Sequence, residues 1–168
     1  WALDKNLTFM GNSDIHAPSL VERSTSANHR AMTLVFAREK SIPAIKEALE
    51  AGRTAIWFED KIIGRREYVD AIFKAAIRVT DMGREGKTVR FTVRNESALP
   101  MEFRREGKVG PEQVSLPPES SVRVRINVNS LESPVGLSYV VKNFLIAPGA
   151  GLPVSYAIPG EIKIDAGM

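Results

Sequence analysis

The chain has 168 residues, of which 43% are hydrophobic and 26% are charged, and it contains no cysteine. This composition excludes a collagen-like, low-complexity or disordered chain, a disulfide framework, a zinc ribbon and a thiol nucleophile, and the length suits one domain or two small ones. The net charge of +3 comes from basic and acidic residues mixed along the whole chain, which argues against a nucleic-acid partner. No apolar run approaches the roughly 18 residues of a membrane span, so we expect a soluble protein, cytoplasmic or periplasmic, without a membrane partner.

The first half of the chain, residues 1–76, alternates strand-like and helix-like segments. Short apolar runs predict strands at 7–10, 32–37 and 54–58. One helix is predicted between the second and third strands, and another from Gly64 to about Ala76. Because strands alternate with helices, the pattern predicts an α/β unit with parallel strands.

The first of these helices has start and stop signals at both ends. Ser41 is a suitable N-cap, Pro43 falls in the first turn where a missing N–H costs little, and Gly52 suits the position just past the helix end. The spacing of three and four residues predicts one apolar stripe, made of Ile42, Ile45 and Leu49.

The second half, residues 77–168, changes to a period of two. Apolar and polar residues alternate at 89–94, 122–128 and 161–165, and glycine, proline and asparagine separate the runs. Further strands are predicted at 101–105, 113–116, 138–147 and 154–158. Seven or so short strands, each with one polar face, predict an antiparallel β-sandwich.

Residues 11–16, Gly-Asn-Ser-Asp-Ile-His, are the segment that could carry chemistry. In extended structure Asp14 and His16 point to the same side, and a carboxylate beside an imidazole is a plausible pair of ligands for a divalent metal. The ends of strands are also where α/β barrels place their active sites. The alternative interpretation is that Asp14 caps a turn and His16 is a hydrogen-bonded loop residue.

Several segments together resemble the end of a PHP domain, the polymerase and histidinol phosphatase family of metal-dependent phosphoesterases. They are GNSDIH at 11–16, HR at 29–30, TLVFA at 33–37 and IKEALEAGRT at 45–54. In that family the last metal-binding motif looks like Gly-x-Asp-x-His, and a helix ending Ala-Leu-x-Ala-Gly-Arg-Thr commonly closes the barrel. NFLIAPG at 143–149 looks like part of the β-sandwich appended to some bacterial members. The resemblance implies an α/β fragment, the end of a PHP-type β/α barrel at 1–76, followed by an accessory β-sandwich at 77–168.

The resemblance also implies roles for individual residues. Asp14 and His16 would bind different ions of a cluster of zinc, manganese or iron, which would activate a water for hydrolysis of a phosphate ester. Arg30 could neutralise a substrate phosphate with His29 beside it, although both could equally be plain loop residues. The substrate of the full protein would be a phosphorylated small molecule.

The chain departs from the family in its ligand set. PHP enzymes also need an early His-x-His motif and further His and Glu ligands, which two histidines cannot supply. We therefore expect a C-terminal piece that is inactive alone, possesses no complete catalytic residue set, and binds no metal unless a missing N-terminal part or a second copy completes the site. The alternative is a non-catalytic β-sandwich that mediates interaction or oligomerisation.

A basic stripe in the second half is a further candidate, for phosphate polymers or acidic glycans. Acidic residues interleave with it in sequence and no aromatic ladder accompanies it, so the solvated outer face of a sandwich is the favoured interpretation. Its basic members are Arg90, Arg94, Arg104, Arg105, Lys108, Arg123 and Arg125, and the interleaved acids are Glu102, Glu106, Glu112 and Glu119.

Overall fold

The structure is a computed structural model that describes residues 2–14, 29–128 and 135–158. These residues form a mostly β structure with two helices. In chain order the elements are β1 (Met32–Val35), α1 (Ile42–Glu50), β2 (Thr54–Phe58), β3 (Lys61–Gly64), α2 (Arg66–Ala76), β4 (Ile77–Glu85), β5 (Thr88–Asn95), β6 (Met101–Arg105), β7 (Gln113–Leu116), β8 (Ser121–Asn127), β9 (Val135–Ala147) and β10 (Ala150–Ile158). Neither helix has the length and apolar character of a membrane-crossing helix.

The chain divides into two compact units. The first unit holds residues 1–75 and 143–152, and the second holds 76–142 and 153–168. The strands β9 and β10 therefore each contribute residues to both units.

The sequence predicted parallel strands in the first unit. This prediction is wrong for β1, β2 and β3, which pair antiparallel. The strand β1 runs antiparallel to β2, with Met32 opposite Trp57 and Val35 opposite Thr54, and β2 runs antiparallel to β3. Parallel pairing occurs between β3 and the end of β9, where Ile62 lies opposite Phe144. No β/α barrel is visible in the described residues.

The connection through α1 explains the antiparallel pairing. The chain leaves β1 at Val35 and returns beside it at Thr54, where the Phe36 N–H donates to the Arg53 carbonyl at 3.0 Å. The nine-residue helix is thus part of a loop that closes at one end of the strands. Parallel neighbours would instead need a right-handed crossover, which carries the chain from the end of one strand back to the end at which that strand began.

The predicted ends of α1 are confirmed. The Ser41 hydroxyl accepts from the Ala44 N–H at 3.3 Å, Pro43 lies in the first turn, and Gly52 follows the C-cap with φ +68°. The predicted apolar stripe does not face the interior, however. Ile42 is 84% exposed, whereas Ala48 is fully buried.

The second helix, α2, begins two residues later than predicted because Gly64 ends β3 instead of opening the helix. A Cβ on Gly64 would meet the Ala55 side chain at 3.1 Å, so this residue lets β2 and β3 approach closely. Within α2, Phe73 packs edge-on against Phe144 of β9, with ring centroids 6.1 Å apart. The described part of the first unit thus buries Ile62, Val69 and Phe144.

The second unit contains two packed layers of strands. One layer is a three-stranded antiparallel sheet in the order β4-β5-β8. In the other, β6 pairs antiparallel with both β7 and β9, and β10 pairs with β9. Inward-facing residues of the two layers form one core, made of Val89, Phe91, Val124, Ile126, Val128, Leu137 and Ile158. This is the arrangement of a β-sandwich.

The strands predicted in the second half are observed at 88–95, 101–105, 113–116, 121–127, 135–147 and 150–158. The strand β4 was not predicted, because its pairing with β5 is interrupted by a β-bulge between Thr80 and Gly83 that breaks the alternation. The predicted strand at 161–165 lies outside the described residues.

Candidate functional site

The segment that leads to the Gly-x-x-Asp-x-His motif is not a strand, which corrects the expectation for residues 7–10. Side chains of two strands hold its backbone in place. The Thr54 hydroxyl donates to the Phe9 carbonyl at 2.7 Å. The Thr33 hydroxyl accepts from the Gly11 N–H at 3.0 Å and donates to the Gly11 carbonyl at 3.1 Å. Because these bonds replace a strand ladder, apolar periodicity alone could not distinguish this segment from a strand.

Gly11 is required here by a close approach. A Cβ at this position would lie 2.6 Å from Cγ2 of Ile56, the residue opposite Thr33 in the sheet. Any larger residue would push the segment away from Thr33 and break both bonds. Gly11 therefore fixes where the motif starts relative to β1 and β2.

The beginning of the same segment is held by α1 and by Arg65, the residue between β3 and α2. The Thr8 hydroxyl donates to the Leu49 carbonyl at 3.0 Å, and the Arg65 guanidinium donates to the Leu7 carbonyl at 2.9 Å while lying over the Phe9 ring. The Nε of Arg65 is buried without a hydrogen-bond partner among the described residues. Hydrogen bonds thus hold the segment at Leu7, Thr8, Phe9 and Gly11.

Asp14 lies three residues beyond this anchor and is exposed. Three residues of extended chain span at most about 10 Å, so the Asp14 backbone lies within about 10 Å of Gly11. Its backbone has φ +50°, a conformation that aspartate adopts more readily than most residues. The other predicted ligand, His16, lies outside the described residues.

His29 lies at the end of the first unit where β1 begins and β2 ends. Its ring packs at 63° against Trp57 with centroids 4.4 Å apart. Nδ1 faces the Arg30 carbonyl at 2.7 Å, and Nε2 faces the Glu59 carbonyl at 3.3 Å. Arg30 itself is exposed beside His29.

Trp57 and Glu59 complete this cluster, and of these two Glu59 was not predicted from the sequence. The Glu59 carbonyl also accepts from the Trp57 indole N–H at 2.9 Å, and Glu59 has φ +52° at the turn between β2 and β3. Directly after this turn, the hydrogen bond that the Lys61 ammonium donates to the Asp60 carboxylate raises the pKa of Lys61. The signal available in the sequence was an aromatic strand end followed by Glu-Asp-Lys, which is common in turns and carries no specific chemistry.

The described residues do not fit a complete metal site by themselves. Within 2–14, 29–128 and 135–158, no three His, Cys, Asp or Glu side chains form a group that could hold a metal ion. Asp14 and His16 would supply two protein ligands, whereas a catalytic zinc usually has three plus a water. A metal centre built on these two residues would need ligands beyond those described.

Comparison with known proteins adds two findings. Residues 77–157 match a family of Ig-like domains, DUF5001. The crystal structure of a two-domain protein from Bacteroides vulgatus, described as containing a predicted PHP-like metal-dependent phosphoesterase, superposes with a TM-score of 0.86 at 30% identity. That match covers 94% of this chain and 48% of the other, so this chain spans about half the length of its structural neighbour. No curated protein matches the sequence.

The two findings agree with the division of the chain. The β-sandwich of the second unit falls within the matched Ig-like range, and the structural similarity extends through both units. Residues 77–157 are therefore similar to Ig-like domains, and nearly all of the chain is similar to one half of a two-domain protein described as containing a predicted PHP-like phosphoesterase.

Proposed function

We propose that this chain is the C-terminal part of a PHP-type metal-dependent phosphoesterase, in which the first unit contributes Asp14 and His16 as metal ligands. The observation that carries the proposal is the match to a PHP-like two-domain protein over 94% of the chain at 30% identity. The GNSDIH motif at 11–16 supports it, because its first residue is the one that Thr33 and Ile56 hold in place.

The local geometry suits a positioning role for the anchored segment. Ligands must be held in place by residues around them if a metal is to bind tightly. Thr33 and Thr54 belong to neighbouring strands and fix the backbone at Gly11 and Phe9, just before Asp14. The chain thus presents the aspartate from a backbone that is already ordered.

Divalent zinc, manganese or iron at this site would polarise the phosphate and generate a hydroxide from bound water at neutral pH. The chain's own contribution is to hold that ion through Asp14 and His16 and to place a positive charge nearby. Arg30, exposed beside His29, would contact a phosphate oxygen of the substrate. His29, with both ring nitrogens against backbone carbonyls, would fix the loop that carries Arg30.

The remaining ligands would come from parts of a longer protein, since this chain spans about half of its structural neighbour. The chain alone is then expected to be inactive. The substrate of the whole protein would be a phosphorylated small molecule.

The test is hydrolysis of p-nitrophenyl phosphate by the full protein that the gene encodes, with metal content measured in the same samples. We expect activity that chelator removes and added manganese or zinc restores. Asp14→Asn and His16→Gln should each lower metal content and activity by more than about 100-fold, because even residues behind the ligands are worth about 10–100-fold. Glu50→Gln, an exposed charge on α1, is the matched control and should have no effect.

Two results would contradict the proposal. One is full metal loading of the Asp14→Asn protein, and the other is phosphatase activity that does not respond to chelator.

A non-catalytic interaction module is the alternative, and the Ig-like match at residues 77–157 favours it. In this alternative the β-sandwich mediates dimerisation or docking and the first unit has no catalytic role. Light scattering after gel filtration separates the two. A stable dimer that forms equally with and without chelator, together with no metal retained by the full protein, would favour the module.

A further inference from the structure

One face of the β4-β5-β8 sheet is rich in arginine. The even-numbered residues of β5 and the odd-numbered residues of β8 lie on the face opposite the core. Arg90 of β5, for example, is the cross-strand partner of Arg125 of β8. All five arginines of this face, which we call the arginine face, are exposed. They are Arg78, Arg90, Arg94, Arg123 and Arg125.

Two pairs on the arginine face place like charges directly opposite each other. Arg90 is the cross-strand partner of Arg125, and Arg94 is that of Arg78. Such pairs destabilise a sheet unless something compensates them.

Acidic residues compensate only part of this charge. Glu96 pairs with Arg78 at 3.4 Å and with Arg94 at 3.8 Å, and Glu85 pairs with Arg90 at 3.0 Å. Asp81 is in the bulge of β4, where it accepts from the Thr80 hydroxyl. Within the described part of the chain, Arg123 and Arg125 on β8 form no ion pair.

The four glutamates that interleave with these arginines in sequence do not lie on the arginine face. They belong to β6 and to the turns around β7, at 102, 106, 112 and 119. The sequence-based reason for treating the arginines as an ordinary solvated face therefore does not hold for this sheet. Only the fold separates the two sets of charges.

The remaining positions of the arginine face include Gly83, opposite Arg90, and Glu85, opposite Thr88. The others carry hydroxyl or amide groups, and the Thr88 hydroxyl donates to the Asn127 amide oxygen at 3.0 Å. Described positions of this face hold no aromatic ring that could stack on a base. Its polar members are Thr80, Thr88, Thr92, Ser121 and Asn127.

We propose that the arginine face of the Ig-like domain binds a linear acidic polysaccharide. Guanidinium groups bind sulfate and carboxylate oxygens with paired hydrogen bonds, and the interspersed hydroxyls and amide suit sugar hydroxyls. Arginines recur about 5 Å apart across strands and about 7 Å apart along them, so one chain of anionic sugars can contact several at once. Single-stranded nucleic acid is disfavoured because its binding relies on aromatic stacking.

The test uses the intact chain and a fluorescein-labelled heparin oligosaccharide, titrated at several salt concentrations. We expect saturable binding that weakens steeply with salt. The double variant Arg123→Gln/Arg125→Gln should weaken binding by about tenfold or more, since charge-assisted hydrogen bonds are lost. It should also reduce the slope of log affinity against log salt by about one to two.

The matched control is Arg66→Gln/Arg104→Gln, which removes the same charge from exposed positions on α2 and β6. It should leave the affinity within about twofold of the parent, and both double variants should melt no lower than the parent because none of these side chains is buried. An equal loss in the control would show that only net charge matters and would overturn the proposal.

Competition experiments distinguish the possible anions. Polygalacturonate, whose charges are all carboxylates, should displace heparin, whereas neutral dextran should not. The proposal is overturned if oligo(dT), polyphosphate or vesicles containing phosphatidylglycerol bind as tightly as heparin at the same charge concentration, or if heparin does not bind at all.

Discussion

The two units of the chain differ in where they place their large apolar side chains. In the second unit, the inward faces of two strand layers bury residues such as Phe91 and Ile158 against each other. In the first unit, several large apolar residues remain exposed. Among the described residues, the exposed large hydrophobics of the first unit are Leu3, Leu7, Met10, Met32, Ile42, Ile45 and Phe58, and that of the second unit is Tyr156.

This difference indicates that the two units reach stability by different means. A sandwich covers the apolar faces of both layers by itself, so it needs nothing further. The first unit leaves apolar positions of α1 and β1 open to solvent, and it holds its N-terminal segment through side-chain hydrogen bonds to backbone. Exposed apolar surface of this kind is typical of an interface, which agrees with a chain that spans half the length of its structural neighbour.

The largest expected effect is on the core of the second unit. Phe91→Ala should lower the free energy of unfolding of that unit by about 3–5 kcal/mol, because it removes a buried aromatic ring and leaves a cavity. Urea unfolding followed by far-UV circular dichroism measures the loss, and Thr92→Ala on the opposite face is the control.

Tryptophan fluorescence sharpens this experiment, because both tryptophans, Trp1 and Trp57, belong to the first unit. If the two units unfold separately, the fluorescence transition of Phe91→Ala stays where it is in the parent. If the fluorescence transition shifts together with the circular dichroism transition, the two units unfold as one. That result would contradict separate sources of stability in the two units.

A smaller loss is expected at Asn95, a fully buried amide in the second unit. Its Nδ2 donates to the carbonyls of Leu99 at 2.6 Å and Pro117 at 2.9 Å, and its Oδ1 accepts from the Ser97 N–H at 3.0 Å. Asn95→Ala removes these three hydrogen bonds and should lower the free energy of unfolding by about 2–4 kcal/mol, although the Leu99 and Pro117 carbonyls keep the hydroxyls of Ser97 and Ser120 as donors. Ser97→Ala, which removes one hydroxyl of the same network, should cost less, and equal costs would argue against the role of Asn95.

In the first unit, the hydroxyl of Thr54 provides the corresponding test. Thr54→Val removes its bond to the Phe9 carbonyl at nearly unchanged volume and should lower the free energy of unfolding of this unit by about 1–2 kcal/mol. Trp57 fluorescence reports the change. Thr54→Ser keeps the hydroxyl and should recover most of the loss, and a Thr54→Val protein as stable as the parent would show that the anchored segment is not held by this bond.

The smallest effect concerns pH. Burial raises the pKa of Tyr139 above 10.0, with Arg105 acting in the opposite direction, and its hydroxyl donates to the Pro111 carbonyl at 2.9 Å. The unfolded chain therefore loses this proton first, so the contribution of Tyr139 is fully present below about pH 10 and is lost as pH rises through the folded-state pKa. Urea midpoints measured at about pH 9 and about pH 11 should fall less in Tyr139→Phe than in the parent. An identical fall in both proteins would place Tyr139 in a more solvated environment.

Much of this structure follows from local patterns. Ser41, Pro43 and Gly52 define the ends of α1 because capping depends only on residues within one turn of each end. The side of α1 that faces the interior is not a local property. Ile42, Ile45 and Leu49 form the better apolar stripe, yet Ala48 is the buried residue because the small side chain is the one that fits where the helix approaches its neighbours.

For the candidate site, sequence reasoning proposed Asp14, His16, His29 and Arg30 but not the residues that hold them. In the sequence, Thr33 and Thr54 are indistinguishable from ordinary strand residues. The hydrogen bonds that their hydroxyls form with a distant backbone segment have no local sequence signal. The same holds for Trp57 and Glu59, whose contact with His29 joins residues about thirty positions apart.

By itself, the sequence determined the strands of the second half, because alternation with period two and the intervening turn residues are local properties of the chain. It also determined the capped helix and the motif at residues 11–16. Only the tertiary structure decided the direction of pairing of β1, β2 and β3 and the gathering of five arginines on one face, away from the glutamates at 102, 106, 112 and 119. Strand direction and register depend on contacts between residues tens of positions apart, and those contacts are decided when whole faces are buried together.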